Sequence, residues 1–229
     1  MNPGTYRPST RFSVFPAVVK NLLILNGLVF LAQVVPTTNE FLTLWFALWP
    51  LDSPELIRTS AGIQQLPGFM PWQLVSYAFL HGNFGHLFFN MFALWMFGMQ
   101  VENTWGSRRF ALFYFVCVVG AGLLQLAVLS LEGGPAVPTV GASGGVFGIL
   151  LAFGMMFPDT YIMLLIPPIP LKAKYFVIGY GALTLFAGLT GAQSGVAHFA
   201  HLGGMIFGFV LIQYWRGKLP VKPGQRVYW

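Results

Sequence analysis

Only 8% of the 229 residues are Asp, Glu, Lys or Arg, against roughly 25% in an ordinary soluble domain. So few charges cannot cover the surface of a water-soluble globule. With 56% of the chain hydrophobic, the composition is that of an integral membrane protein. Cysteine is nearly absent: the single Cys117 excludes a disulfide within the chain and says nothing of redox compartment. The opening MNPGTYRPSTRF lacks the apolar core and small-residue cleavage site of a signal peptide, so the first span is expected to be retained. Acids are few: Glu40, Asp52, Glu55, Glu102, Glu132 and Asp159, against twelve Lys and Arg. A net charge of +6 would suit a nucleic-acid partner, but the placement of the basic residues has another cause. The chain carries no internal repeat of the usual ~20–50 residues and no low-complexity tail.

Apolar sequence is plentiful. Six candidate helices run over Asn21–Val35, Leu80–Val101, Phe110–Leu131, Ser143–Phe157, Tyr175–Leu189 and Val196–Trp215. Several have only about 15 residues, where ~20 cross a bilayer cleanly, which implies local bilayer thinning or recessed helix ends. Trp105, Tyr175, Tyr214 and Trp215 suit interfacial anchoring. With the N-terminus in the cytoplasm, the inside segments carry Arg7, Arg11, Lys20, Arg108, Arg109, Lys172, Lys174, Arg216, Lys218, Lys222 and Arg226, leaving only Arg58 outside. The positive-inside rule therefore puts both termini in the cytoplasm. The basic excess reflects topology, and no nucleic acid is expected. The long segment from Pro36 to Phe79, with Trp45, Trp49, Leu51, Phe69, Met70 and Trp72, reads as an outer loop lying in the interface. The prolines of IPPIPLKAK within Pro158–Lys174 forbid a regular helix and predict a cytoplasmic turn or extended linker.

Ionisable residues within a membrane protein point to function. The four histidines, His81, His86, His198 and His201, all fall at or in the second and sixth spans. The alternating topology sets them, with Asn90 and with Ser143 at the outer end of the fourth span, at one depth near the outer leaflet. Ser143 and a histidine can form a nucleophile–base pair. No acid lies in the outer half of a span, so a dyad is expected rather than a triad. His86 and Asn90 share a helix face at i and i+4. With backbone N–H groups at the start of the fourth span, they could face a developing oxyanion. Gly144 with Gly148, and Gly204 with Gly208, form small-xxx-small pairs that let the fourth and sixth spans pack closely. Phe147, one turn from Ser143, would face the same side. Gly141 to Gly145 also fits G-x-S-x-G, but the elbow needs a strand-to-helix turn, and here a loop leads into a membrane span.

HGNFGHLFFN (His81 to Asn90), GASG (Gly141 to Gly144) and AHLGGMIFG (Ala200 to Gly208) together resemble the rhomboid intramembrane serine proteases over nearly the whole six-helix core. The resemblance implies Ser143 as nucleophile and His201, with Gly204 and Gly208 following it, as base. It implies an oxyanion hole from His86, Asn90 and the Ser143 amide. His81, His198, Gly141 and Gly144 would support the site, and Phe147 would stack on the base where an aromatic, commonly Tyr, is found. Trp72-Gln73 resembles a Trp-Arg pair of the first loop, with Gln in place of Arg. Glu102, Trp105, Gly106 and Arg109 resemble a structural turn of the family.

The expected fold is thus an all-α membrane protein, a rhomboid-like six-transmembrane-helix bundle with an interfacial first outer loop. Residues 1–20 would form a cytoplasmic segment, 21–215 the catalytic membrane domain and 216–229 a cytoplasmic tail. The expected activity is peptide-bond hydrolysis in or near transmembrane segments. Single-span membrane proteins would be the substrates and lipids the surroundings, in a bacterial plasma membrane, with no cofactor or metal. Two other classes compete. A non-catalytic relative that binds membrane clients would typically lack the Ser or the His. A haem or metal protein could use His198, His201 and His86, but HExxH and an intramembrane carboxylate set are missing.

Overall fold

The computed structural model describes residues 12–51, 53, 56–59, 62–65, 68–132, 137–164, 168–190 and 197–224. The described residues hold α1 (Ala17–Gln33), α2 (Pro36–Phe46), β1 (Leu56–Thr59), β2 (Gly62–Gln65), α3 (Gln73–Ser76), a 3-10 turn (Tyr77–Phe79), α4 (Phe84–Trp105), α5 (Ser107–Glu132), α6 (Ser143–Met156), β3 (Tyr161–Met163), β4 (Pro170–Lys172), α7 (Ala173–Thr190) and α8 (His198–Trp215). By length and composition, Ser107–Leu131 and Ala173–Thr190 can each cross a bilayer; Ala17–Gln33 and Ser143–Met156 are apolar but shorter.

Capping sets the helix ends. The second apolar helix starts at Phe84 rather than Leu80, because the Asn83 side chain accepts the His86 N–H at 2.8 Å and fixes the first turn. It continues past Val101 to Trp105 and stops at Gly106, whose φ of 78° suits glycine. The next helix opens at once at Ser107, ahead of the expected Phe110. Glu102 holds this corner. Its carboxylate accepts the Val18 and Val19 N–H groups at 2.9 and 2.8 Å and the Ser107 hydroxyl at 2.6 Å. One buried acid thus satisfies two orphan donors of the first turn of α1 and joins α1, α4 and α5.

Helix α6 is the centre of the bundle, packed by α4, α5, α7 and α8. Ten of its 14 residues are buried. At about 1.5 Å per residue it spans about 21 Å, well short of a ~30 Å hydrocarbon core. A methyl group on Gly204 would overlap the Gly144 carbonyl, so α6 and α8 meet backbone to backbone there. Gly148 lies against Cys117 of α5 as well as the Gly204 carbonyl. Gly208 departs from the expected α6–α8 contact: its neighbours are Phe113 and Cys117 of α5.

The expectation of an all-helical chain needs correction at two hairpins. In the first loop β1 pairs antiparallel with β2. In Pro158–Lys174, β3 pairs with β4, Met163 opposite Pro170. The prolines that bar a helix are tolerated at the end of so short an edge strand. Lys172 and Lys174 both reach Asp159 beside it. The first loop is tied down rather than loose. Leu48 and Thr139 exchange backbone hydrogen bonds at 3.0 and 2.9 Å, and Ser76 Oγ donates to Phe46 O. Gln73 is fully buried; it accepts from Trp49 N at 3.3 Å and donates to Gly68 O at 3.1 Å. The glutamine in place of the family arginine is therefore a loop-binding side chain. Phe41, Trp45 and Trp72 remain exposed on this loop.

Candidate active site

Three elements converge at the start of α6. The chain enters through Gly141, whose φ is 124° and whose N–H donates to the Tyr77 carbonyl at 2.9 Å. A Cβ at Gly141 would lie 2.6 Å from His86 Cε1 and 2.7 Å from Nε2. Only glycine gives both the backbone angle and the room for that ring. Ser143 follows Ala142, the N-cap, as the first residue of α6. Its Oγ lies 2.8 Å from Nε2 of His201 on α8, a pair 58 residues apart in sequence. Both residues are half-buried.

Phe147, 5% exposed, stacks on the His201 imidazole at 4.2 Å between centroids and 7° between planes. It stands one turn after Ser143, so one face of α6 presents the hydroxyl and the ring that supports its partner. Gln125 of α5, 7% exposed, accepts the Ala200 N–H at 3.1 Å. That bond satisfies an orphan donor in the first turn of α8, next to His201. Gly144 packs against Ala121 of α5 and brings the helix start close to Tyr77 Oη, which donates to the Val118 carbonyl.

On α4, Asn90 is 6% exposed and donates one amide hydrogen to the His86 carbonyl at 2.8 Å; an amide nitrogen carries two. His86 Nδ1 takes the Gly82 N–H at 3.4 Å. In a neutral ring this leaves the proton on Nε2, the atom beside Gly141. His81 precedes α4 and is 2% exposed. Its ring meets His86 edge to face at 5.0 Å, and its backbone is bracketed by Gln33, with N–H donating to Oε1 at 2.9 Å and the carbonyl accepting from Nε2. Burial first, and His86 second, lower the His81 pKa to about 4. A cavity of about 330 Å³ lies beside this group, lined by Gln33, Asn39, Thr43, His81, Asn83 and Val140 among others.

The second histidine of α8 sits differently. His198 opens the helix, with its Cβ near Gly188 of α7 and its ring edge-on to His201 at 6.1 Å. The serine contact belongs to His201. Among the described residues, no three His, Cys, Asp or Glu side chains are grouped to hold a metal. Sequence reasoning missed Gln125, Tyr77 and Tyr180, the last stacked on Phe147. Gln125 had a readable signal, as the one amide in the apolar run of α5; Tyr77 and Tyr180 had none beyond their position.

Comparison with known proteins gives a consistent answer. A sequence model of the Rhomboid domain matches residues 68–217. Rhomboid protein 1, mitochondrial, of Saccharomyces cerevisiae is 33% identical over 158 residues, 67% of this chain and 44% of the yeast protein. Rhomboid protease AarA of Providencia stuartii is 30% identical over 231 residues, 92% of this chain and 76% of that one. Rhomboid protease GluP of Bacillus subtilis is 33% identical over 143 residues, covering 60% of this chain and 25% of that protein. The chain thus spans less than half of the yeast relative and a quarter of GluP. The relatives come from bacteria, mitochondria and chloroplasts. With its mostly helical fold and a domain match over most of its length, the chain belongs to the rhomboid family of integral membrane proteins.

Proposed function

We propose that this chain is a serine-type intramembrane endopeptidase. Helices α1, α4, α5, α6, α7 and α8 serve as its six spans, both termini face the cytoplasm, and the start of α6 faces the outer leaflet. The observation that carries the reading is the 2.8 Å contact between Ser143 Oγ and His201 Nε2. Ser143 stands one residue inside the N-cap, Ala142, and its hydroxyl is turned to an imidazole.

His201 Nε2 takes the proton as Ser143 Oγ attacks the carbonyl carbon of a peptide bond. The oxyanion is met by the His86 Nε2–H, the second amide hydrogen of Asn90 and the Ser143 backbone N–H. As the C–N bond breaks, His201 returns the proton to the leaving amine. Water then attacks the acyl carbon and gives its proton to His201, which passes it to Ser143 Oγ as the acyl C–O bond breaks and the new carboxyl end leaves. Phe147 holds the imidazole plane, and His81 backs the His86 ring. Among the described residues no acid is bonded to His201; the ring stack holds its plane, and the Ala200–Gln125 bond secures the turn of α8 that carries it. The substrate is a single-span membrane protein cut near the outer end of its helix, where the chain unwinds to present its carbonyl.

The test is cleavage of a model single-span substrate in liposomes. Ser143→Ala and His201→Ala are each expected to lose about 10⁴-fold or more, while His198→Ala keeps most activity. Cleavage by Ser143→Ala would overturn the mechanism. A dead His198→Ala with an active His201→Ala would move the base.

A further inference from the structure

The imidazole stack does not stop at Phe147. Tyr180 of α7 stacks on Phe147 at 5.0 Å and 13°, and Phe176, one turn earlier, stacks on Tyr180 at 5.7 Å and 11°. Phe147 is nearly parallel to both neighbours, and two rings at these distances cannot share one face of a third. His201 and Tyr180 therefore take its opposite faces. Phe176 continues the column to Phe97 of α4 at 6.3 Å.

The column crosses helices of very different anchorage. α6 is the buried centre, whereas α7 buries only Ala173, Val177, Thr184 and Ala187. Its ends are seated, by Val177 and Ala173 against Gly154 of α6 and by Gly188 against His198 and Phe199. Between them, Ile178, Leu183, Leu185 and Phe186 are exposed, and Tyr180 is 42% exposed. Through Phe147, the middle of α7 is thus joined to the plane of His201.

We propose that Tyr180 is a positioning residue for the dyad: its ring closes the open face of Phe147 and thereby holds the His201 imidazole in line with Ser143. The proposal rests on the Ser143–His201 reading above and adds α7 to the elements that set the geometry of the base. Stacking, rather than the Tyr180 hydroxyl, carries the effect.

The experiment compares wild type with Tyr180→Phe, Tyr180→Leu and Tyr180→Met, and with Leu183→Ala as a control on the same exposed face. Two rates are read on each purified, folded protein. One is kcat and KM for a single-span substrate. The other is phosphonylation of Ser143 by a small fluorophosphonate, which needs the activated hydroxyl but no substrate helix. Tyr180→Leu and Tyr180→Met are expected to lose about five- to tenfold in both kcat and labelling rate, the scale set by one aromatic pair. KM should hold, and Tyr180→Phe and Leu183→Ala should match wild type. The Met variant carries the test if the Leu variant does not fold. Unchanged labelling in both overturns the proposal, whether helix cleavage then falls, rises or holds, because Tyr180 would act on substrate entry or not at all. A Tyr180→Phe loss equal to that of Leu also overturns it. A wild type that neither cleaves nor labels fails the dyad reading itself, a separate result.

Discussion

Gly141 shows how little room a single residue can have. Its backbone is left-handed and its missing side chain is the space filled by His86. Gly141→Ala should strain the backbone by about 1–3 kcal/mol and push the His86 ring aside. We expect kcat/KM for the model substrate to fall at least tenfold; an Ala variant with unchanged kcat/KM would show that the ring is not needed there. His81 allows a prediction of a different kind. Burial, with His86, lowers its pKa from 6.5 to about 4. Below about pH 6.5 the unfolded chain takes up a proton that the folded chain refuses, so stability is lost as the pH is lowered. This contribution is complete above about 6.5 and is lost progressively down to about 4. Thermal midpoints measured from about pH 7 to about pH 4 should fall, and His81→Asn should flatten part of the slope. Equal slopes in the two proteins would count against the assignment.

At the scale of elements, close packing and clasps dominate. Gly204→Val would drive a side chain into the Gly144 carbonyl. Overpacking of this kind costs about 1–3 kcal/mol and would part the helices that carry Ser143 and His201. A lowered melting temperature and lost cleavage are expected together; a variant that keeps both would mean that α6 and α8 do not rely on that contact. Glu102→Ala leaves two backbone N–H groups of α1 and the Ser107 hydroxyl without their acceptor. At about 1–3 kcal/mol for each buried orphan, it should destabilise by at least about 2 kcal/mol, with Glu102→Gln in between, as read by denaturant titration in detergent.

The elements differ in how much of them is legible in the sequence. Apolar runs mark the long helices, and Gly106 and Asn83 are ordinary stop and start signals that account for the shifted ends of α4. Ser143, His86, Asn90 and His201 are legible as polar residues at one depth. Which histidine meets the serine is finer than that shared depth, since His198 and His201 lie one turn apart on one side of α8. That depends on how far α8 sits along its axis against α6, a position held by the close contact of Gly204 with Gly144. Partnerships across the chain leave no local mark. Leu48 with Thr139, Gln73 with the loop backbone, and β3 with β4 each join segments whose own composition names no partner.

For the whole molecule, the proposed chemistry draws on the chain's own groups and water, with no metal taking part. Cleavage should therefore persist after treatment with EDTA and stop with a fluorophosphonate; loss on chelation, restored by added metal, would contradict it. The described fold also distributes the site along the chain in a telling order. Glu102 draws together α1, α4 and α5, all built from residues before 133, whereas Ser143 and its partner are 58 residues apart and His201 lies on α8. On the proposed mechanism, the nucleophile therefore emerges during synthesis into a partly assembled bundle that still lacks its base. The proton acceptor arrives only with the helix that closes against Gly144. On that mechanism a nascent chain cannot cleave through the dyad until α8 has packed against α6.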